Sequence, residues 1–116
     1  MITDLSYLKT MSGGDAEFIA EMIGLFREQI GEYAEQMPQL LREQEYGGLS
    51  KLAHKAKSSV AVMGMTGVAD LLKDLEKLAK EGRDTDRYEG MVNEFLEKSW
   101  LAVEELEQAN LSTWPW

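Results

Sequence analysis

LSKLAHKAKSSVAVMG, residues 49–64, carries two patterns at once: apolar side chains at helical spacing and the only histidine of the chain. Taking His54 as zero and advancing about 100° per residue, Leu49, Leu52, Ala56, Val60 and Met63 fall at about 220, 160, 200, 240 and 180°. The segment therefore reads as an amphipathic helix over residues 49–63, with His54 opposite its apolar stripe. On the outer face the spacing puts small side chains one turn away: Ser50, Ser58 and Ala61 lie within about 40° of the imidazole. Lys51 and Lys57 flank it at about 60° to either side. An imidazole so placed is on offer to a partner, ringed by small groups and cations.

Helical periodicity recurs on both sides of this segment. Gly13-Gly14 breaks the chain before Asp15, a candidate N-cap. Phe18, Met22, Phe26, Ile30, Tyr33 and Met37 then recur at spacings of three and four, which predicts a helix over residues 15–37. Gly24 and Gly31 each cost that helix up to about 1 kcal/mol without breaking it. Pro38 is tolerated in a first helical turn, so residues 39–44 either restart as a short helix or continue with a kink, and Gly47-Gly48 ends the element.

Beyond the His54 helix, Gly64 with Thr66-Gly67 marks a turn. Val68, Leu71, Leu72, Leu75, Leu78 and Ala79 form the cleanest amphipathic stripe, stopped by Gly82. Asp84-Thr85-Asp86 offers caps and first-turn acids for a last helix, with Tyr88, Val92, Phe95, Ser99, Ala102 or Val103, and Leu106 on its inner face. Near the start, Asp4 to Met11 reads as one short helix contributing Leu5, Leu8 and Met11. Strand alternation is absent. The expected fold is all-α: an antiparallel up-down four-helix bundle with a short extra N-terminal helix, one domain over residues 1–116 without repeat or linker.

Composition narrows the chemistry. With 116 residues, 44% of them apolar, the chain can build one core. A net charge of −9 and a pI near 4.6 argue against binding nucleic acid or an anionic membrane, because phosphate recognition needs a positive footprint. The absence of cysteine excludes disulfides, thiolate metal sites and a cysteine nucleophile. The start, Met-Ile-Thr-Asp-Leu-Ser-Tyr, has neither a basic region nor an apolar stretch, and the apolar run at residues 60–65 is too short to span a bilayer. The protein reads as cytoplasmic.

Bundle di-iron sites need two histidines with surrounding carboxylates, and one histidine cannot supply them. A hydrolytic triad needs an acid to orient the histidine, and the His54 segment carries lysines and no carboxylate. An exposed neutral imidazole serves better as a nucleophile: its unperturbed pKa of about 6.5 leaves one ring nitrogen unprotonated near neutrality. Phosphorylation would create an anion that Lys57, three residues on, is placed to stabilise. Residues 49–58 hold Lys51, Lys55 and Lys57 with no acid, a local +3 in an acidic chain.

These residues resemble a known family. Ala53-His54-Lys55-Ala56-Lys57-Ser58-Ser59, then Met63-Gly64, then Leu71-Leu72-Lys73-Asp74-Leu75-Glu76, is similar to the signature of histidine-containing phosphotransfer (HPt) domains. That signature runs His-x-x-Lys-Gly-Ser, with a glycine ten residues after the histidine and Leu-Glu on the next helix. Gly14-Asp15-x-x-Phe18-Ile19 and Leu25-Phe26 resemble the family's first long helix, so the likeness runs over residues 5–106.

The resemblance implies a phosphocarrier, not an enzyme, that holds a phosphoryl group on His54 between receiver-domain aspartates in a multistep, two-component phosphorelay. Lys57 would stabilise the phosphoryl group and Gly64 close the helix. Ser58 stands where the family usually has glycine, a small neighbour able to donate a hydrogen bond, and Ala56 thins a position where a larger aliphatic is common. The implied partners are response-regulator receiver domains and a hybrid histidine kinase. The chain would work as a monomer with no cofactor or metal of its own, Mg²⁺ being expected only in the partner receiver. The alternative is a helical adaptor or inhibitor that binds a kinase or receiver through the same surface without being phosphorylated.

Three surface features take plainer readings. Lys73, Lys77 and Lys80 read as a solvated face paired with Glu76, Asp70 or Glu81. Met65, at about 20° from His54 if the helix persists, would join an exposed apolar patch. Trp100, Trp114 and Trp116 would pin the tail against the bundle.

Overall fold

The computed structural model of the protein describes residues 3, 4, 6, 9, 10 and 13–108. Four long helices make up a helical bundle: α1 (Ala16–Arg42), α2 (Tyr46–Val62), α3 (Thr66–Glu81) and α4 (Tyr88–Gln108), with a 3₁₀ turn (Thr85–Arg87) leading into α4. Of the short N-terminal helix, Ser6, Lys9 and Thr10 are helical, while Leu5, Leu8 and Met11 lie outside the described residues, as do Trp114 and Trp116.

Helix α1 starts as its sequence predicts. The Asp15 carboxylate accepts from the Glu17 and Phe18 amides at 3.0 and 3.3 Å, satisfying donors that a helix start leaves orphaned. Its course differs from expectation in two ways. Pro38 lies inside one continuous helix, because Met37 before it and Leu40 and Leu41 after it all pack on the core and hold both sides in line. In the first two turns the inward residues are Ile19 and Ile23, not Phe18 and Met22. Phe18 is 36% and Leu25 51% exposed, which leaves an apolar edge facing out.

Helix α2 begins earlier than the sequence suggests. Gly47 and Gly48 occupy its first turn and do not end the preceding element, which stops at Glu43 before Gln44 takes a positive φ of 54°. A Cβ on Gly48 would lie 3.1 Å from a Leu40 methyl, so the glycine lets the end of α1 approach closely. The buried stripe of α2 is Leu49, Ala53, Ala56 and Val60, with Leu52 only half-buried. Helix α2 ends at Val62, so Met65 never continues the outer face and is buried in the core.

Gly64 turns the chain with φ +72°, and a Cβ there would strike the Asp4 carbonyl oxygen. Next to it the Asp4 amide donates to the Met63 carbonyl at 2.9 Å, and Thr3 Oγ1 donates to Glu105 on α4 at 2.9 Å. Gly64→Ala combines left-handed strain with eviction of the segment at residues 3–4, so it should cost about 2 kcal/mol and lower Tm by roughly 6–10 °C. Thermal melts followed by circular dichroism would read it, and an unchanged Tm would dissolve this account of the turn.

Helix α3 closes at Gly82 in the left-handed conformation, as read from its sequence. Asp84 does not cap by its side chain. It takes a left-handed φ of 52° before the 3₁₀ turn, and the Tyr88 hydroxyl lies 2.7 Å from both the Leu78 and Arg83 carbonyls, clasping the α3 end to α4. The α4 core face holds Tyr88, Val92, Phe95, Ser99, Ala102, Val103 and Leu106 as expected, with Met91 added. Trp100 is 41% exposed.

Candidate functional site

His54 lies on α2 with its side chain 65% exposed, where the helical spacing puts it. Its setting is not the one read from α2 alone. Glu76 reaches across from α3 and places Oε1 2.7 Å from His54 Nδ1 and Oε2 3.2 Å from Lys57 Nζ. One carboxylate therefore bridges the histidine and the lysine one turn apart. Glu76 can do so because it sits at the edge of the α3 apolar stripe, between buried Leu72 and Ala79 one turn either side, and so faces α2 rather than solvent.

The electrostatics fix the tautomer. Burial pushes the Glu76 carboxyl up, but the Lys57 and His54 hydrogen bonds and the charges of both groups outweigh it and hold the carboxyl below its ordinary value. An ionised carboxylate only accepts, so Nδ1 turns a hydrogen toward Glu76, and in the neutral form of the ring the free lone pair is left on Nε2. A group with a lowered folded pKa stabilises the protein above its ordinary value and loses that contribution as the pH falls through the lowered one. Glu76→Gln should therefore be less stable than the native protein at about pH 7, with the gap narrowing as the pH falls below the ordinary 4.5 of a glutamate. Denaturant titrations of both proteins would show this, and a gap independent of pH would contradict the bridge.

Ser50 departs furthest from the sequence reading. Instead of standing on the outer face beside His54, it is 8% exposed, and its Oγ donates to the backbone carbonyl of Glu76 at 2.9 Å. The core direction of α2 is set by Ala53 more than by Leu52, which turns the Ser50 edge of the helix onto α3. Ser58 remains exposed one turn beyond His54. It lines an open groove between α1 and α2 with Met22, Leu25, Gln29 and Val62, fed by the outward apolar edge of α1. Among the described residues Lys73, Lys77 and Lys80 form none of the expected ion pairs with Asp70, Glu76 or Glu81: Glu76 is turned to α2 and Glu81 pairs with Arg83 at 3.0 Å.

The described helices form a bundle with one solvent-facing histidine, in contact with a carboxylate and flanked by a lysine. The chain belongs to the Hpt domain family, whose model matches residues 21–110, more than three quarters of its length. That family performs histidine phosphotransfer in phosphorelays. No curated protein and no solved structure is similar enough to the chain to count as a match. No helix among the described residues is long and apolar enough to cross a membrane.

Proposed function

We propose that the protein is a phosphocarrier in which His54 takes a phosphoryl group from the aspartyl phosphate of one receiver domain and passes it to the aspartate of another. The observation that carries this reading is the 2.7 Å contact from Glu76 to Nδ1 of an exposed histidine, which leaves Nε2 as the nucleophile. In the forward step the Nε2 lone pair attacks phosphorus, an N–P bond forms, and the bond to the aspartyl oxygen breaks to release a carboxylate. The imidazolium that results keeps its Nδ1 proton against Glu76, whose charge stabilises it. Lys57, 30% exposed and one turn from His54, offsets the charge of the phosphoryl group.

Most of the catalytic apparatus, including Mg²⁺, belongs to the partner in this scheme, and the carrier contributes an oriented nucleophile and room for approach. The apolar groove beside Ser58 is the docking face for the receiver. An antiparallel up-down course is supported by the short connections and by the pairing of Tyr33 with Phe95 and Arg27 with Glu107, which matches later residues of α1 with earlier ones of α4. Incubation with a phosphorylated receiver, resolved on a phosphate-trapping gel, tests the proposal. A shifted, acid-labile band is expected, and binding without a shift would make the protein an adaptor.

A further inference from the structure

Ser50 is the one polar side chain of α2 buried against α3, and the group it bonds is the main chain of Glu76. Serine inside a helix ordinarily satisfies its hydroxyl on a carbonyl one turn back in the same helix. Here the hydroxyl crosses to a neighbouring helix, using the second lone pair of a carbonyl. Ser50 is also one turn before His54 on the same edge of α2. Glu76 is thus held to α2 at two points: its backbone at Ser50 and its carboxylate at His54 and Lys57.

We propose that Ser50 is a positioning residue for transfer at His54: its hydroxyl sets the Glu76 turn of α3 against α2 and so keeps the carboxylate on Nδ1. The proposal rests on His54 being the acceptor. A glutamate side chain has three rotatable torsions and can reach Nδ1 and Nζ together only from a narrow range of backbone positions. Packing by Leu72, Leu75 and Ala79 orients α3, but apolar contacts are non-directional and tolerate sliding along the helix. The Ser50 bond is directional and sits at the residue whose position matters.

The test uses Ser50→Ala and Ser50→Thr in the full chain, with two readouts. Imidazole ¹⁵N shifts, measured where the ring is neutral, report whether Nδ1 or Nε2 carries the hydrogen. Labelling by phosphoramidate reports nucleophilicity without a protein partner: Nε2 attacks phosphorus, the donor's P–N bond breaks and ammonia leaves. In Ser50→Ala the Nδ1–H form should give way to a mixture, and labelling should slow about three- to tenfold, as a small misplacement near a reacting group does. Helix content should be retained, and Ser50→Thr, which keeps the hydroxyl, should restore both readouts.

A folded Ser50→Ala with the native tautomer and labelling rate would overturn the proposal and leave Ser50 a packing residue. If the alanine variant loses helix content, Ser50→Cys, similar in size and a poor donor, takes its place with the same two outcomes. Failure of the native protein to label at all would count against His54 as acceptor, whereas the tautomer arm reads Ser50 alone.

Discussion

His54→Gln is expected to abolish acid-labile phosphorylation while leaving the bundle folded. The side chain is 65% exposed, and the only bond the substitution disturbs is the one to Glu76 Oε1. Lys57 keeps its own contact to Oε2 at 3.2 Å, so the carboxylate is not stranded. Exposed substitutions of this kind typically change stability by no more than about 0.5 kcal/mol. The chemistry has no such tolerance. A glutamine amide nitrogen has its lone pair delocalised into the carbonyl and cannot attack phosphorus, and no other imidazole exists in the chain. Labelling from a phosphorylated receiver should therefore fall to background with an unchanged melting curve. Retained label in a folded His54→Gln would move the acceptor elsewhere.

The four helices were legible because each presents its apolar residues at helical spacing over several turns, and because Asp15, Gly64 and Gly82 punctuate them with groups of definite geometry. Errors gathered where a decision depended on a neighbouring helix. Phe18 and Met22 match the α1 period as well as Ile19 and Ile23 do, and only the position of the other helices selects the pair that goes inside. Gly47-Gly48 looked like a terminus because glycine is a poor helix former, yet close approach to Leu40 keeps it within α2.

The site followed the same division. The outward direction of His54 and the nearness of Lys57 are properties of one helix and were readable from it. Glu76 belongs to the Leu-Glu pair of the motif, but a wheel of α3 alone groups it with the lysine row, and only the pairing of α2 with α3 decides which face it serves. The available signal was its place between Leu72 and Ala79, at the edge of the apolar stripe rather than at the centre of the polar face. The burial of Ser50 is hidden for the complementary reason: a single helix wheel gives an angle from the core but not which neighbour fills the space beside it.

Ser58→Trp should block exchange with a receiver at least tenfold while sparing the chemistry of the histidine, a loss equivalent to about 1.4 kcal/mol or more. Ser58 is exposed one turn past His54, and an indole there would lie over the groove formed with Met22, Leu25 and Val62. Covering apolar edges that already face water should leave stability near native, within the usual range of about ±0.5 kcal/mol for surface sites. A protein partner must bring its aspartyl phosphate to Nε2 across that same surface, and the bulky ring would hold it off. Phosphoramidate is small enough to pass. The variant should thus label from phosphoramidate at close to the native rate yet exchange slowly with a phosphorylated receiver. Ser58→Gly, carrying the residue more usual in this family, should exchange at least as well as the native protein, at a helix-propensity cost of about 0.5 kcal/mol. Equal loss with both donors would place the tryptophan's effect on the histidine itself, and normal exchange with the receiver would put the docking face on another side of His54, toward Lys51 and Lys80 in the groove between α2 and α3.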